Sequence, residues 1–335
     1  MKLLSAIFLP TLAICFAISF AQAQTKDSSK SKNAAAAKNY QPIALENSPA
    51  LQTLLDRAVG ETIDAFLPKN IKLEYVAATL IDLRDPNNLK TANYRGEAKI
   101  YPASVVKMFY MTALERWLED GRVKMTPELE RGLHDMIITS SNDATQYIVD
   151  VLTDTSSGAE LEPKEFKIYA AKRNTVNRYF ASLGYQNINV NQKTYCEDAY
   201  GREQQFRDKG KNRNMLTTNA TARLLTEIVL SKAVTPERSR QMMDLMKRDF
   251  SGKSADADDQ AHGFTGIALA NKNLTGARLW SKAGWTSKTR HDAAYVETPD
   301  GLKFVLVVFT ENMANERDII PTIAGKILDN LKNIK

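Results

Sequence analysis

The stretch KFVLVVFTE, residues 303–311, constrains the fold most, because both of its faces are apolar. A strand with one solvated face alternates apolar and polar residues, whereas a strand that is apolar throughout is covered on both sides. We therefore predict a central strand with helices packed against both faces of its sheet. Pro299-Asp300-Gly301 is typical of a hairpin turn, which indicates an antiparallel strand just before it.

The rest of the chain places strands at both ends and helices between them. Apolar periodicity predicts a helix, two strands, many helices, three strands and a closing helix. The predicted fold is α/β, of the α+β type: a five-stranded antiparallel sheet flanked by N- and C-terminal helices, plus an all-helical lobe. The sheet lobe is expected at about 48–102 and 275–335, and the helical lobe at about 103–274. A cleft is expected between the two lobes.

The N-terminus has the pattern of a secretory signal. Lys2 precedes a mostly apolar run from Leu3 to Phe20, and Ala21-Gln22-Ala23 fits a cleavage site. We predict a signal peptide at 1–23, a flexible linker at 24–47 and one catalytic domain at 48–335. A membrane anchor is the weaker interpretation, because Pro10 interrupts the apolar run and no later stretch is long and apolar enough to span a bilayer. The protein is expected to be secreted or periplasmic, without stable membrane insertion after cleavage.

The amino-acid composition gives little support for nucleic-acid binding, for cysteine chemistry or for a metal site. The formal net charge of +6 is spread along the chain without a dense basic cluster, so nucleic-acid binding gains little support. Cys196 is the only cysteine left after cleavage, and it has no identifiable base partner, so neither a disulfide nor a thiol nucleophile is expected. The three histidines are far apart without metal-binding spacing. We expect no metal, no cofactor and a monomer.

Ser104 and Lys107 lie three residues apart in YPASVVKMFY, residues 101–110. In a predicted helix over Ala103–Glu119 they share one face. They could be a cap serine and a surface lysine. However, the apolar neighbours of Lys107 indicate burial, which lowers the proton affinity of an amine. A neutral amine could take the proton from Ser104 and create a nucleophile.

Two further stretches decide between these interpretations. TSSND contains Ser140-Ser141-Asn142 at the predicted start of a helix, and WSKAGWTSKTRHDAAYV contains Lys282-Ala283-Gly284 at the end of a predicted strand. With Ser104-x-x-Lys107, these motifs in this order resemble those of the serine beta-lactamase and penicillin-binding protein superfamily. Class A beta-lactamases look most similar. The resemblance covers roughly residues 51–335. The Gly-x-Ser-x-Gly motif of α/β-hydrolases is absent from the sequence.

The resemblance implies a role for each motif residue. Ser104 is the acylated nucleophile and Lys107 the base for acylation. Ser140 relays a proton to the leaving nitrogen, and Asn142 binds the side-chain amide of the substrate. Lys282 binds the substrate carboxylate and keeps Lys107 poorly protonated by like-charge repulsion.

The third motif implies further substrate contacts. The backbone N–H groups of Ser104 and Trp285 form the expected oxyanion hole. Gly284 allows the strand backbone to approach the substrate closely. Arg290 matches a position that some class A enzymes use for the carboxylate. Ala283 departs from the pattern, because it replaces a usual Thr or Ser whose hydroxyl also binds that carboxylate.

The residue that activates water for deacylation stays open. Class A enzymes use a loop glutamate, and an ungapped match places Thr194 at that position. A short insertion brings in Glu197, our first choice, and Glu203 is the second. Both can equally be solvated loop acids. Without a base, an acyl-enzyme formed from a beta-lactam persists.

The expected substrate is therefore a beta-lactam or a peptidoglycan-derived peptide. The leading hypothesis is a secreted serine hydrolase that opens beta-lactam amides through an acyl-Ser104 intermediate. The first alternative is a D-Ala-D-Ala peptidase, or another amide or ester hydrolase, with slow beta-lactam deacylation. The second is a non-catalytic module that binds the cell envelope.

Overall fold

The computed structural model describes residues 40–195 and 199–334. Within these ranges the strands are β1 Glu46–Asn47, β2 Val76–Asp82, β3 Lys90–Tyr94, β4 Lys247–Arg248, β5 Arg278–Trp285, β6 Thr289–Glu297 and β7 Lys303–Glu311. The α-helices are α1 Pro49–Phe66, α2 Val106–Glu119, α3 Pro127–Ile137, α4 Asn142–Thr153, α5 Pro163–Arg173, α6 Thr175–Ser182, α7 Gly201–Arg207, α8 Thr218–Val229, α9 Pro236–Met246, α10 Thr265–Asn271 and α11 Ile319–Asn330.

The strands form one sheet in the order β1-β3-β2-β7-β6-β5-β4. The prediction of a central strand is confirmed, since β7 pairs antiparallel with both β2 and β6. The prediction of a five-stranded antiparallel sheet is wrong at the two edges of the sheet. Two-residue strands extend the sheet at both ends, and β1 pairs with β3 in parallel, so the sheet is mixed and seven-stranded. Strands this short leave no periodic signal in a sequence.

Strand β7 divides the core into two halves. Its odd-numbered residues, such as Val305 and Phe309, belong to an apolar cluster shared with α2 and α8. Its even-numbered residues, such as Phe304 and Val308, belong to a second cluster with α1 and α11. Because successive side chains of a strand point to opposite faces, an all-apolar strand must be covered on both sides. The helices of this fold supply both covers.

Two elements from the expected range of the helical lobe, β4 and α10, pack with the sheet. Strand β4 pairs with β5, and α10 contributes Ala268 and Leu269 to the cluster of the sheet and α11, so the segment from 247 onward belongs with the sheet. Helices α5 and α6 follow each other directly and meet at Asn174. Helix α2 runs through the larger cluster, and most of its residues are buried.

The structure describes only residues 40–47 of the predicted signal peptide and linker. Residues 1–39, which include the predicted signal peptide and most of the linker, lie outside the described residues. The last part of the predicted linker packs against the fold: Ile43 is buried and Tyr40 bonds to Glu227. No helix in the described ranges has the length and apolar character that crossing a bilayer requires.

His291 ties the sheet to the segment that enters α2. Its Nδ1 accepts from the backbone N of Thr310 at 3.1 Å, so Nε2 carries the proton that it donates to Tyr101 O at 2.9 Å. Burial lowers the pKa of His291 to about 4, only partly offset by the hydrogen bond to Tyr101. The ring is therefore neutral in the folded protein at neutral pH.

This histidine makes stability depend on pH. Because the unfolded chain takes up a proton below pH ~6.5 and the folded chain resists it down to about 4, stability is lost as the pH falls through this window. Between pH 7.5 and pH 5 the wild type should lose about 2 kcal/mol more unfolding free energy than His291→Gln, which can keep both hydrogen bonds. Urea unfolding at both pH values measures the difference. Parallel losses in the two proteins would contradict this assignment.

Candidate active site

Ser104 lies in the short 3-10 turn Ala103–Val105 that leads into α2. The helix predicted from Ala103 therefore begins as a tighter turn. Ala103 has a φ of 46°, in the left-handed region that side chains other than glycine rarely adopt. Such strain is held only where the surroundings enforce it, and it is common at functional sites. Lys107 follows in the first turn of α2 and is fully buried.

Ser140 lies in the tight connection between α3 and α4. It has a φ of 58°, so the chain turns sharply at this residue. Ser141 then accepts a hydrogen bond from Ala144 N at 3.1 Å and caps α4. Asn142 is the first residue of α4. The cap and the left-handed turn together fix the direction in which Ser140 and Asn142 leave the backbone.

The two lysines meet at the hydroxyl of Ser140. Lys107 Nζ lies 3.2 Å from Ser140 Oγ, 2.5 Å from Ser140 O and 2.9 Å from Asn142 Oδ1. Lys282 Nζ donates to the same Oγ at 2.9 Å. The two amines therefore lie within about 6 Å of each other. At an effective dielectric constant of ~20, two full charges at that distance repel by about 3 kcal/mol, which disfavours double protonation.

Lys282 is fully buried near the end of β5. Besides Ser140, its amine donates to Gln260 Oε1 at 2.6 Å and to Ala283 O at 2.9 Å. Burial, and then the charge of Lys107, hold the pKa of Lys282 well below its usual value. The site thus contains two amines whose protonation is coupled, and a hydroxyl placed to pass a proton between them.

Gly284 brings strand β5 directly against the nucleophile turn. A Cβ atom at this position would lie 2.7 Å from Ser104 N and 2.9 Å from Pro102 O, closer than real Cβ contacts. Only glycine allows this approach. It places the backbone of Ser104 beside the Gly284-Trp285 segment, as the expected oxyanion hole requires. The Trp285 ring packs on Phe264 with centroids 5.9 Å apart.

Comparison with known proteins agrees with this geometry. The profile of the beta-lactamase enzyme family matches residues 59–331. The chain belongs to that family. Among solved structures, a beta-lactamase from Sphaerobacter thermophilus is similar at 19% identity and a TM-score of 0.60, covering 84% of this chain and 99% of that one. PBP-A is similar at 17% identity and a TM-score of 0.58, covering 88% and 100%. No protein of curated function matches the sequence.

At these identities the solved structures establish the beta-lactamase-like fold alone. A class A beta-lactamase from Bacteroides cellulosilyticus is similar at 16% identity with a TM-score of 0.57, covering 83% of this chain and 99% of that one. The family match confirms the resemblance that the three motifs indicate. Substrate and mechanism follow from neither comparison.

Arg290 is placed differently from the expectation for this family. Its side chain is only 2% exposed and pairs with Asp258 at 2.6 Å. It also donates to Gly263 O at 2.5 Å and lies over the ring of Phe264. Binding a substrate carboxylate would require this buried pair to break. The contacts support the loop before α10 instead.

Of the two carboxylates expected to activate water for deacylation, only Glu203 lies within the described residues. Glu197, our first choice, and Cys196 lie outside the described residues. Glu203, the second choice, is buried against Arg173 at 2.6 Å and Lys193 at 3.1 Å. Burial acts to raise the pKa of Glu203, but these two cations outweigh it and the pKa is lowered. A carboxylate held in this way is a poor base.

Thr194, at the position of an ungapped match to the family glutamate, is also buried, and its Oγ1 has no hydrogen-bond partner among the described residues. The next residue, Tyr195, accepts a hydrogen bond from Asn142 Nδ2 at 3.1 Å through its backbone carbonyl. The loop therefore touches the cluster of Ser140 and the lysines through Asn142. Nothing in the described part of the loop presents an unpaired carboxylate to that cluster.

Gln260 is the residue that sequence reasoning missed. It is buried and bonds directly to Lys282, yet it lies in a loop with no motif and no periodicity. Arg248 was missed in the same way, although it donates to Ser281 O and Ile137 O. Neither residue has a local signal, because its partners are distant in the chain.

Gly284→Ala should misplace the nucleophile turn. The added methyl group meets backbone atoms, which cannot move aside as a side chain can. We expect labelling of Ser104 by a fluorescent penicillin to slow at least ~10-fold, a misalignment effect of the size seen for small displacements at active sites. Gly60→Ala is the control, since nothing lies within 4 Å of its Cβ position. Normal labelling of the Gly284 variant would show that the close approach is not needed.

Glu203→Gln should destabilise the fold rather than block turnover. It leaves Arg173 buried without the carboxylate that pairs with it, while Lys193 keeps Asp150 at 2.7 Å, and breaking a buried pair costs about 3–5 kcal/mol. Urea unfolding measures the loss, with the exposed Glu165→Gln as control. A variant that unfolds normally but accumulates acyl-enzyme would instead identify Glu203 as the deacylation base.

Proposed function

We propose that this protein is a serine hydrolase that opens beta-lactam amides through an acyl-Ser104 intermediate. The observation that carries the proposal is the pair of buried amines on Ser140 Oγ: one comes from Lys107, three residues after Ser104, and the other from β5, whose Gly284 lies against the backbone of Ser104. A solvated or structural lysine has no reason to be buried at such a cost. Two of them around one hydroxyl are suited to moving a proton.

The proposed acylation uses these groups in sequence. Lys107, as a neutral amine, takes the proton of Ser104 as its oxygen bonds to the carbonyl carbon of the substrate. The oxyanion is stabilised by the backbone N–H groups of Ser104 and Trp285. The C–N bond then breaks, and Ser140 delivers a proton to the leaving nitrogen while regaining one from a neighbouring lysine. The product is a single acyl-enzyme in which the opened ring keeps its former lactam nitrogen as an amine.

Asn142 and Lys282 are proposed to orient the substrate. Asn142 already bonds Lys107 and the carbonyl of Tyr195, which holds its amide at the entrance of the cluster. Lys282 is proposed to attract the carboxylate of the substrate. That attraction is weaker than the family pattern implies, because Ala283 offers no hydroxyl and Arg290 is paired with Asp258.

A second candidate is a peptidase on the same fold, with D-Ala-D-Ala peptides as substrates and slow hydrolysis of the beta-lactam adduct. Two observations favour it: Glu203 is committed to a buried ion pair, and Thr194 stands at the glutamate position. PBP-A is similar in fold, and a PBP-A variant has been seen as an acyl-enzyme complex with penicillin G. A non-catalytic envelope-binding module gains no support from the buried lysines.

The cellular setting is part of this proposal. Export by the predicted signal peptide would place the enzyme in the periplasm or outside the cell, where beta-lactams and peptidoglycan peptides are found. We propose a monomer that acts without a metal or cofactor.

Intact-mass measurement after mixing with penicillin tests the proposal. We expect a mass increase equal to one penicillin, absent in Ser104→Ala. Loss of the adduct within minutes supports the beta-lactamase, whereas an adduct that lasts for hours supports the peptidase. Lys107→Ala should slow adduct formation by at least ~100-fold with little change in binding, since a general base contributes about that much. A wild type that gains no mass and also leaves the penicillin unhydrolysed would contradict both the beta-lactamase and the peptidase.

A further inference from the structure

Both the oxygen and the nitrogen of the Gln260 side-chain amide make hydrogen bonds. Oε1 accepts from Lys282 Nζ at 2.6 Å and from Ala283 N at 3.2 Å. Nε2 donates to Ile138 O at 2.8 Å and to Ile137 O at 3.1 Å. Two donors on one side and two carbonyls on the other fix which end of the amide faces which partner. The side chain is only 6% exposed, so these bonds are not exchanged for water.

These contacts span the two elements that carry the proton relay. Ile137 ends helix α3, and Ser140 follows three residues later. Lys282 lies on β5, and its amine bonds Ser140 Oγ at 2.9 Å. The Gln260 amide is therefore a bridge from the chain just before Ser140 to the amine that Ser140 meets. We propose that Gln260 is a positioning residue, which sets the Lys282–Ser140 contact for acyl transfer.

The neutrality of the Gln260 side chain matters as much as its contacts. The charged groups around Lys282 are Lys107 on α2, Arg248 on β4 and Asp292 on β6. A neutral amide orients the amine of Lys282 without adding an anion that would hold it protonated. A carboxylate in the same place would do both. A glutamine thus keeps the amine aligned and leaves its proton labile.

The loop that carries Gln260 is itself braced. Asp259 accepts from the backbone N of Ala261 and of His262, both at 2.9 Å, which closes the turn after Gln260. Arg290 holds the loop from the sheet, through Asp258 on one side of Gln260 and Gly263 O on the other. This bracing gives Arg290 a function that requires no contact with substrate.

Two substitutions separate alignment from charge. Gln260→Met keeps the volume but removes every bond of the amide, and Gln260→Glu keeps the acceptor but adds a charge. Arg248→Lys is the matched control, because Arg248 bonds the same Ile137 carbonyl and Ser281 O through its guanidinium, and a lysine keeps the positive charge near Lys282 while removing that guanidinium. If the role is positioning, Gln260→Met should slow acylation by penicillin at least ~10-fold at unchanged penicillin affinity, and Arg248→Lys should do so much less.

Titration of Lys282 supplies a readout that a purely structural role would not move. With 13C-labelled lysine, NMR of the Cε signals, assigned by comparison with Lys282→Arg, should show the pKa of Lys282 about one unit or more higher in Gln260→Glu than in the wild type. The pH at which acylation becomes fast should rise with it. An unchanged pKa overturns the proposed contact, even if the Met variant fails to fold.

The inference rests on the proposed function, but the two can fail separately. A wild type that penicillin does not acylate removes the proposed function, and the acyl-transfer role of Gln260 with it. A wild type that is acylated, together with a Gln260→Met variant acylated at the same rate, removes only the role of Gln260. Equal slowing in Gln260→Met and Arg248→Lys would also overturn it, because the effect would then come from the shared contact with the Ile137 carbonyl alone.

Discussion

The hydroxyl of Ser140, shared by the amines of Lys107 and Lys282, is the contact on which the rest of the site depends. Each amine arrives from a different element, and each is fully buried. Holding them within about 6 Å costs about 3 kcal/mol if both are charged, so one of them gives up its proton readily. The fold therefore maintains an arrangement that is unfavourable in itself, and the neighbouring contacts exist to enforce it.

The enforcing contacts come from the backbone more than from side chains of opposite charge. Ala103 and Ser140 both have left-handed φ values, and Gly284 lets β5 touch the turn Ala103–Val105. Gln260 adds a neutral bridge to the amine on β5. An anion would have stabilised the lysines more strongly, but it would also have fixed their protons. A neutral and partly strained surrounding suits amines that must exchange protons.

The sequence predicts the parts of this protein that repeat or that form motifs. The all-apolar stretch of β7 correctly indicates a covered central strand, and three short motifs indicate the family. Strands β1 and β4 escape prediction, because two residues have no period. Gln260 escapes because its role is defined by partners more than twenty residues away in the chain. Arg290 is expected at the site because its position in the sequence matches the family pattern, but a sequence position cannot show that its guanidinium pairs with Asp258.

The two halves of the proposed reaction, acylation and deacylation, depend on separate segments of the chain. The proposed acylation draws on α2, the Ser140 turn and β5, which meet at Ser140 Oγ and at Gly284. Deacylation in class A enzymes draws on a loop glutamate, and here Glu203 neutralises Arg173 and Lys193 instead. A carboxylate that stabilises two buried cations cannot leave them to activate water without a large cost. The chemistry that forms the acyl-enzyme can therefore persist in this fold while its hydrolysis is tuned, or lost, by changes in a single loop.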